Sequence, residues 1–187
     1  MTDKRFYEMF PKILSYPVEG YRESVCKIRD EFSKADSHST EFKQEYVRSI
    51  EQIDLFLEKT KELSLDDYEE LYTRTFDINP VASLEIGWHI WGEAYERGVF
   101  LVTMRSILRK FEITESQELP DHLSHALAAA GKMEEAEANQ FISTFLIKAL
   151  GKILEGFKEK ENPYEHILQA LQYYVMVQYR QGVNVNG

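Results

Sequence analysis

Apolar residues in this chain recur at steps of three and four almost from end to end, which leaves little besides helices for it to fold into. Phe6, Met9, Phe10, Ile13 and Leu14 set the pattern. It returns with Tyr21, Val25, Ile28 and Phe32, and again with Phe42, Tyr46, Ile50, Ile53 and Leu57. Later, Phe141, Phe145, Leu146, Ala149, Leu150, Ile153 and Leu154 make a wide apolar face. Tyr164, Ile167, Leu168, Leu171, Tyr174, Val175 and Gln178 continue the buried stripe. No stretch alternates with period two long enough to make a strand. The predicted fold class is all-α, a single-domain multi-helix bundle over residues 1–187 with a frayed tail over about 181–187.

The punctuation between stripes sets the expected boundaries. Pro17 and Gly20 close the first helix, and Ser37, His38, Ser39 and Thr40 the second. Ser64 followed three residues on by Asp67 resembles a capping box, opening a helix through Tyr72. Asn79 and Pro80 predict the cap and first residue of a helix carrying Val81, Leu84, Trp88, Trp91 and Tyr95. Pro120 is expected to begin a short helix that Gly131 stops, with Asp121 in its first turn against the positive dipole end. Asn162 caps the last helix and Pro163 opens it. Gly87, Gly92 and Gly98 lie inside or between helical patterns, each costing about 1 kcal/mol relative to Ala. Such glycines fit places where helices cross closely or the chain bends.

Charge and motif content exclude several functions. Asp and Glu total 32 against 22 Lys and Arg, for a net charge of −10 over 187 residues. No basic patch is segregated, so the surface repels a phosphate backbone and nucleic acid is not an expected partner. No apolar run is long enough to span a membrane, and the charged stretch from Met1 to Phe10 is not a secretory signal. The lone Cys26 can form neither an internal disulfide nor a cysteine metal cage, and fits a reducing cytosol. Glu85 and His89 stand four apart, as do Glu118 and His122, where a di-iron bundle needs a spacing of three. His122 and His125 could share a helix face, but two ligands do not make a metal site. With no nucleophile elbow, phosphate-cradling loop or zinc-protease motif, no catalytic residue, metal or cofactor is assigned.

Two segments concentrate unusual residues. The first is Tyr72-Thr73-Arg74-Thr75-Phe76-Asp77, followed by Trp88-His89-Ile90-Trp91-Gly92-Glu93 and Glu96-Arg97-Gly98. Read structurally, the tryptophans are core anchors, and Glu93 with Arg97 is an exposed i, i+4 pair worth a few tenths of a kcal/mol. The second is Glu118-Leu119-Pro120-Asp121-His122-Leu123. Helix-start chemistry accounts for Pro120 and Asp121 but leaves His122 unexplained, because an imidazolium sits badly near a positive dipole end.

Thr75-Phe76-Asp77, Gly92, Arg97-Gly98 and above all the Glu118–Leu123 hexapeptide resemble the redox-enzyme maturation chaperones. Within that group the sequence is most similar to the delta-subunit type, which serves respiratory nitrate reductase and related molybdenum enzymes. The resemblance covers roughly Leu65 to Leu171; it departs from the usual pattern at Glu93, where Asp is commoner, and the C-terminus is shorter. It implies a cytoplasmic, all-helical chaperone without catalysis or a cofactor of its own. Its partner would be the apo catalytic subunit of a molybdopterin-dependent oxidoreductase. The chaperone would bind that subunit's N-terminal segment, often a twin-arginine signal peptide, and hold it for cofactor insertion before folding or export.

By the same resemblance, Asp121, His122, Glu118 and Pro120 match the family's peptide-recognition motif. Asp121 is expected to accept hydrogen bonds from a client arginine while His122 orients it. Asp77 and Glu93 add carboxylates, and Tyr72, Phe76, Trp88 and Trp91 are assigned as an apolar floor from their clustering in sequence. Two other readings stay open: a metal- or carboxylate-dependent helical-bundle enzyme, and a permanent structural subunit of a redox complex. Monomer and homodimer, and contact with molybdenum-cofactor delivery proteins, are likewise open.

Overall fold

Most of the stretches with three-and-four spacing form helices. A computed structural model describes residues 4–36, 41–78 and 82–185. The Ser37–Thr40 stop and the Asn79–Pro80 cap fall outside the described residues. In chain order the helices are α1 (Phe6–Ile13), α2 (Tyr21–Asp36), α3 (Lys43–Lys59), α4 (Leu65–Tyr72), α5 (Ile86–Trp91) and α6 (Tyr95–Lys110). They are followed by α7 (Leu123–Lys132), α8 (Glu135–Phe141), α9 (Ile147–Glu155) and α10 (Tyr164–Val185). One-turn π-helices extend α4 through Thr73–Asp77 and join α8 to α9 through Ile142–Leu146. The fold is all-α, with no strand among the described residues. None of those helices is long and apolar enough to cross a membrane.

The stripes read from the sequence meet in one contiguous core running from Phe6 to Val177. α10 lies along α3 and α9, α3 packs on α2, and α1 crosses α2 and α7. Aromatic rings fill the centre: Phe6 stacks on Phe32 with centroids 4.0 Å apart, and Tyr174 leans on both Phe6 and Phe10. Rings of this size supply much of the apolar burial that holds helices together.

Local chemistry fixes the helix ends. Ser64 and Asp67 form the expected capping box, each side chain bonded to the other residue's backbone N–H. The Asn162 side chain caps α10 by accepting from the Tyr164 N–H at 2.9 Å, and its amide donates to Thr75 Oγ1 at 2.7 Å. The start of α10 is thereby tied to the π turn after α4. At the far end α10 continues to Val185, through most of the stretch read as a frayed tail.

Three expected boundaries move. The helix expected from Pro80 onward begins only at Ile86, and Gly92 ends it six residues later with φ +61°. The residues before it are pulled into a backbone bridge with the segment before α7: Ile86 N–H donates to Asp121 O at 3.0 Å and Leu123 N–H to Leu84 O at 2.8 Å. The same bridge delays the helix expected at Pro120, so α7 starts at Leu123 with His122 as its N-cap. Gly131, expected as a stop, lies inside the last turn of α7. A Cβ there would come 2.7 Å from Tyr7 Cβ, so glycine serves the close crossing of α1 over α7.

Candidate functional site

The bridge between residues 84–86 and 121–123 brings the starts of α5 and α7 side by side, and the hexapeptide caps both. Asp121 is fully buried, and its Oδ2 accepts from the Gly87 N–H of α5 at 3.0 Å. This is N-capping across the chain, since the carboxylate satisfies a first-turn donor of a helix it does not belong to. A Cβ on Gly87 would stand 2.5 Å from that oxygen and 3.0 Å from Phe100, so this approach requires glycine. His122, also buried, caps its own helix: Nδ1 accepts from the Ser124 N–H at 3.3 Å and lies 2.7 Å from Ser124 Oγ. Burial, with a smaller contribution from His125, pushes the His122 imidazole down to about 3, so it is neutral and no imidazolium faces the dipole. Pro120 is buried in the turn just ahead.

Arg97 of α6 turns inward to this joint. Its Nε is 3.9 Å from Asp121 Oδ2, and its guanidinium lies over the Trp88 ring, 5.3 Å from the centroid. The exposed Glu93–Arg97 pair expected from sequence is therefore absent, and Glu93 is exposed on the turn after α5. Neither Arg97 Nε nor Asp121 Oδ1 has a hydrogen-bond partner among the described residues. Burial raises the Asp121 carboxyl above its ordinary range, with Arg97 and the Gly87 N–H pulling the other way.

Beside the joint, three carboxylates gather from separate segments. Asp77 ends the π turn, Glu85 precedes α5 and Glu118 opens the hexapeptide. Burial, followed by the charges of Asp77 and Glu85, raises the Glu118 carboxyl, and burial with Glu85 raises Asp77. The buried Tyr72 senses all three: after burial, the charges of Glu118, Asp77 and Glu85 contribute to the upward shift of its phenol. No ion pair to any of the three occurs among the described residues. The result is a negative spot with Asp77 exposed and Glu85 and Glu118 half-buried.

The aromatic residues divide. Tyr72 and Phe76 belong to the core, where Phe76 packs on Tyr164 at 4.8 Å and Tyr72 donates to Leu14 O at 3.2 Å. Trp88 and Trp91 are half-buried and line an open groove of about 530 Å³ between α5 and α9, whose other side carries Lys152 and Glu155. Trp91 also rests on Phe100, with ring centroids 4.9 Å apart. The predicted residues thus resolve into buried supports (Asp121, His122, Pro120, Tyr72, Phe76) and accessible groups (Asp77, Glu118, Trp88, Trp91, Glu93). Among the described residues no group of His, Cys, Asp or Glu is arranged to hold a metal ion.

The family model of the nitrate reductase delta subunit matches residues 39–167, more than two thirds of the chain. The chain belongs to that family. The delta-subunit family consists of molybdoenzyme assembly chaperones rather than catalysts, and its partner class is a molybdoenzyme catalytic subunit. No curated protein matches the chain.

For a delta-subunit chain, sequence reasoning missed Glu85, Gly87, Arg97 and His125 as parts of one site. Glu85 and Gly87 flank the start of a helix that the sequence places several residues earlier, which hid them. Arg97 fits a surface pair with Glu93 by local spacing, while its inward partner, Asp121, lies 24 residues away. The one available signal was His122, a residue that helix-start chemistry left over.

Proposed function

We propose that this chain, acting in the cytoplasm, binds the basic N-terminal segment of a molybdopterin-dependent oxidoreductase catalytic subunit and holds that subunit for cofactor insertion. The observation that carries this reading is that Asp77, Glu85 and Glu118 lie close enough to act on one another and on Tyr72 through their charges, with no cation paired to them among the described residues. A guanidinium docking there gains charge-assisted hydrogen bonds and places a positive charge among three negative ones. The Trp88–Trp91 groove alongside α5 offers apolar and cation–π surface to flanking residues of the same segment. At net charge −10 the whole surface attracts a basic leader.

In this reading Asp121, His122 and Pro120 support the site from within by fixing the joint. Contact with the client falls to Asp77, Glu85, Glu118, Trp88 and Trp91. The test is calorimetric titration of a synthetic peptide with two adjacent arginines followed by an apolar residue. Glu118→Gln and Asp77→Asn are each expected to weaken binding by roughly tenfold or more, the scale of a lost charge-assisted hydrogen bond. Unchanged affinity in both variants removes the carboxylates from the site. The exposed apolar face of α6, formed by Tyr95, Val99 and Val102, favours the permanent-subunit reading instead. Release once the client has received its cofactor separates the two.

A further inference from the structure

Glu118 lies on the irregular segment between α6 and α7, where no helix holds its backbone, yet it contributes to a cluster that needs a fixed geometry. What holds it is a side chain that neither the motif nor the acidic cluster includes. His125, 5 % exposed in the first turn of α7, points back at the loop. Its Nδ1 lies 2.9 Å from Leu119 O, a pure acceptor, so Nδ1 carries the proton and Nε2 is a bare acceptor. Nε2 then receives the Ser116 N–H at 3.2 Å and faces Ser116 Oγ at 3.1 Å. The chain of donors closes on Glu118, whose own N–H donates to Ser116 Oγ at 3.2 Å. One imidazole therefore grips the residues two before and one after Glu118, and reaches Glu118 through a shared hydroxyl.

We propose that His125 is the positioning residue of the acidic receptor: with Ser116 it clasps the 116–119 loop so that the Glu118 carboxylate stands with Asp77 and Glu85. The proposal rests on reading those three carboxylates as a cation receptor. It assigns His125 no contact with the client, so its effect must pass through Glu118.

A double-mutant cycle on the full chain tests this, with the same diarginine peptide as probe. Glu118→Gln is expected to weaken binding by roughly 10- to 100-fold. His125→Phe should approach the same loss, and Glu118→Gln/His125→Phe should be no weaker than the worse single variant. Losses that multiply in the double variant, or full affinity in His125→Phe, overturn the proposal. Hydrogen exchange supplies a readout independent of the peptide: the Ser116 and Glu118 amides should lose protection in His125→Phe, and unchanged protection also overturns the clasp. Should His125→Phe fail to fold, Ser116→Ala removes the hydroxyl link alone and is expected to weaken binding in the same direction. Full binding by Glu118→Gln is a different failure, which sinks the receptor itself.

Discussion

Gly87→Ala is the sharpest test of the joint between α5 and α7, because ordinary helix propensity predicts the opposite sign. Gly87 is the second residue of α5, and in isolation alanine would favour the helix by about 1 kcal/mol. Here the added methyl would lie 2.5 Å from Asp121 Oδ2 and 3.0 Å from Phe100 Cδ1, both on buried residues. Relieving that contact means moving a carboxylate that has no exposed direction to go. Overpacking costs about 1–3 kcal/mol. Losing the carboxylate's 3.0 Å bond from Gly87 N–H costs about 1.5–3 kcal/mol more. Setting the propensity gain against these leaves a net loss of roughly 3 kcal/mol. For a chain of this length that lowers the melting temperature by about 6–12 °C. Thermal and urea unfolding followed by circular dichroism measure it. In an Asp121→Ala background the same substitution should cost far less, since the clashing oxygen is gone. A Gly87→Ala protein that melts at or above the wild-type temperature would refute the capping of α5 by Asp121.

Other consequences follow from groups whose surroundings are equally specific. His122 is held near 3 in the folded chain against 6.5 unfolded, so only the unfolded state takes up its proton between those values. Its contribution is therefore intact above about pH 6.5 and lost as pH falls toward about 3. His122→Asn, which keeps an N-cap acceptor, should flatten that acid limb in urea midpoints measured across the range, and an unchanged slope refutes the assignment. Glu118 carries a charge that burial and two like charges disfavour. Glu118→Gln is accordingly expected to hold or slightly raise stability, within about 0.5 kcal/mol, even as it weakens peptide binding; a clear loss in the urea midpoint would mean the carboxylate supports the fold. Gln178 is fully buried with neither end of its amide hydrogen-bonded among the described residues. Gln178→Met, close in volume, should raise stability by about 1–2 kcal/mol in the same assay, and a loss would show that the amide has a partner.

What the sequence made legible was what depends on near neighbours. The Ser64–Asp67 box and the Asn162 cap are contained within a few residues, and the buried stripe of α10 follows from periodicity alone. The start of α5 was not legible, because residues 84–86 are held out of a helix by backbone partners at 121–123. Asp121 illustrates the difference well. A carboxylate near a helix N-terminus was the right chemistry, but the helix it serves is α5 rather than the one it precedes. His122 was the informative residue because local rules failed on it, and its neutral ring proves to be a cap. Arg97 offered no such signal, since an i, i+4 pairing with Glu93 satisfied every local rule.

The two kinds of residue in the site answer different physical demands. A client arginine could reach Asp121 only by opening the joint, which would strip Gly87 N–H of its acceptor and break the bridge between residues 84–86 and 121–123. Asp77, Glu85 and Glu118 impose no such cost, since each is already at least partly exposed. They impose another: gathered together, they repel one another, and a loop as irregular as 112–122 would relax to separate them if it were free. The capped joint on one side and the His125 clasp on the other deny it that freedom. Under the proposed function the free chaperone therefore carries an electrostatic penalty that a cationic leader removes on binding. Once the leader has left, the penalty returns, so the receptor's affinity is set by how firmly the hydrogen bonds of the joint and the clasp hold like charges together.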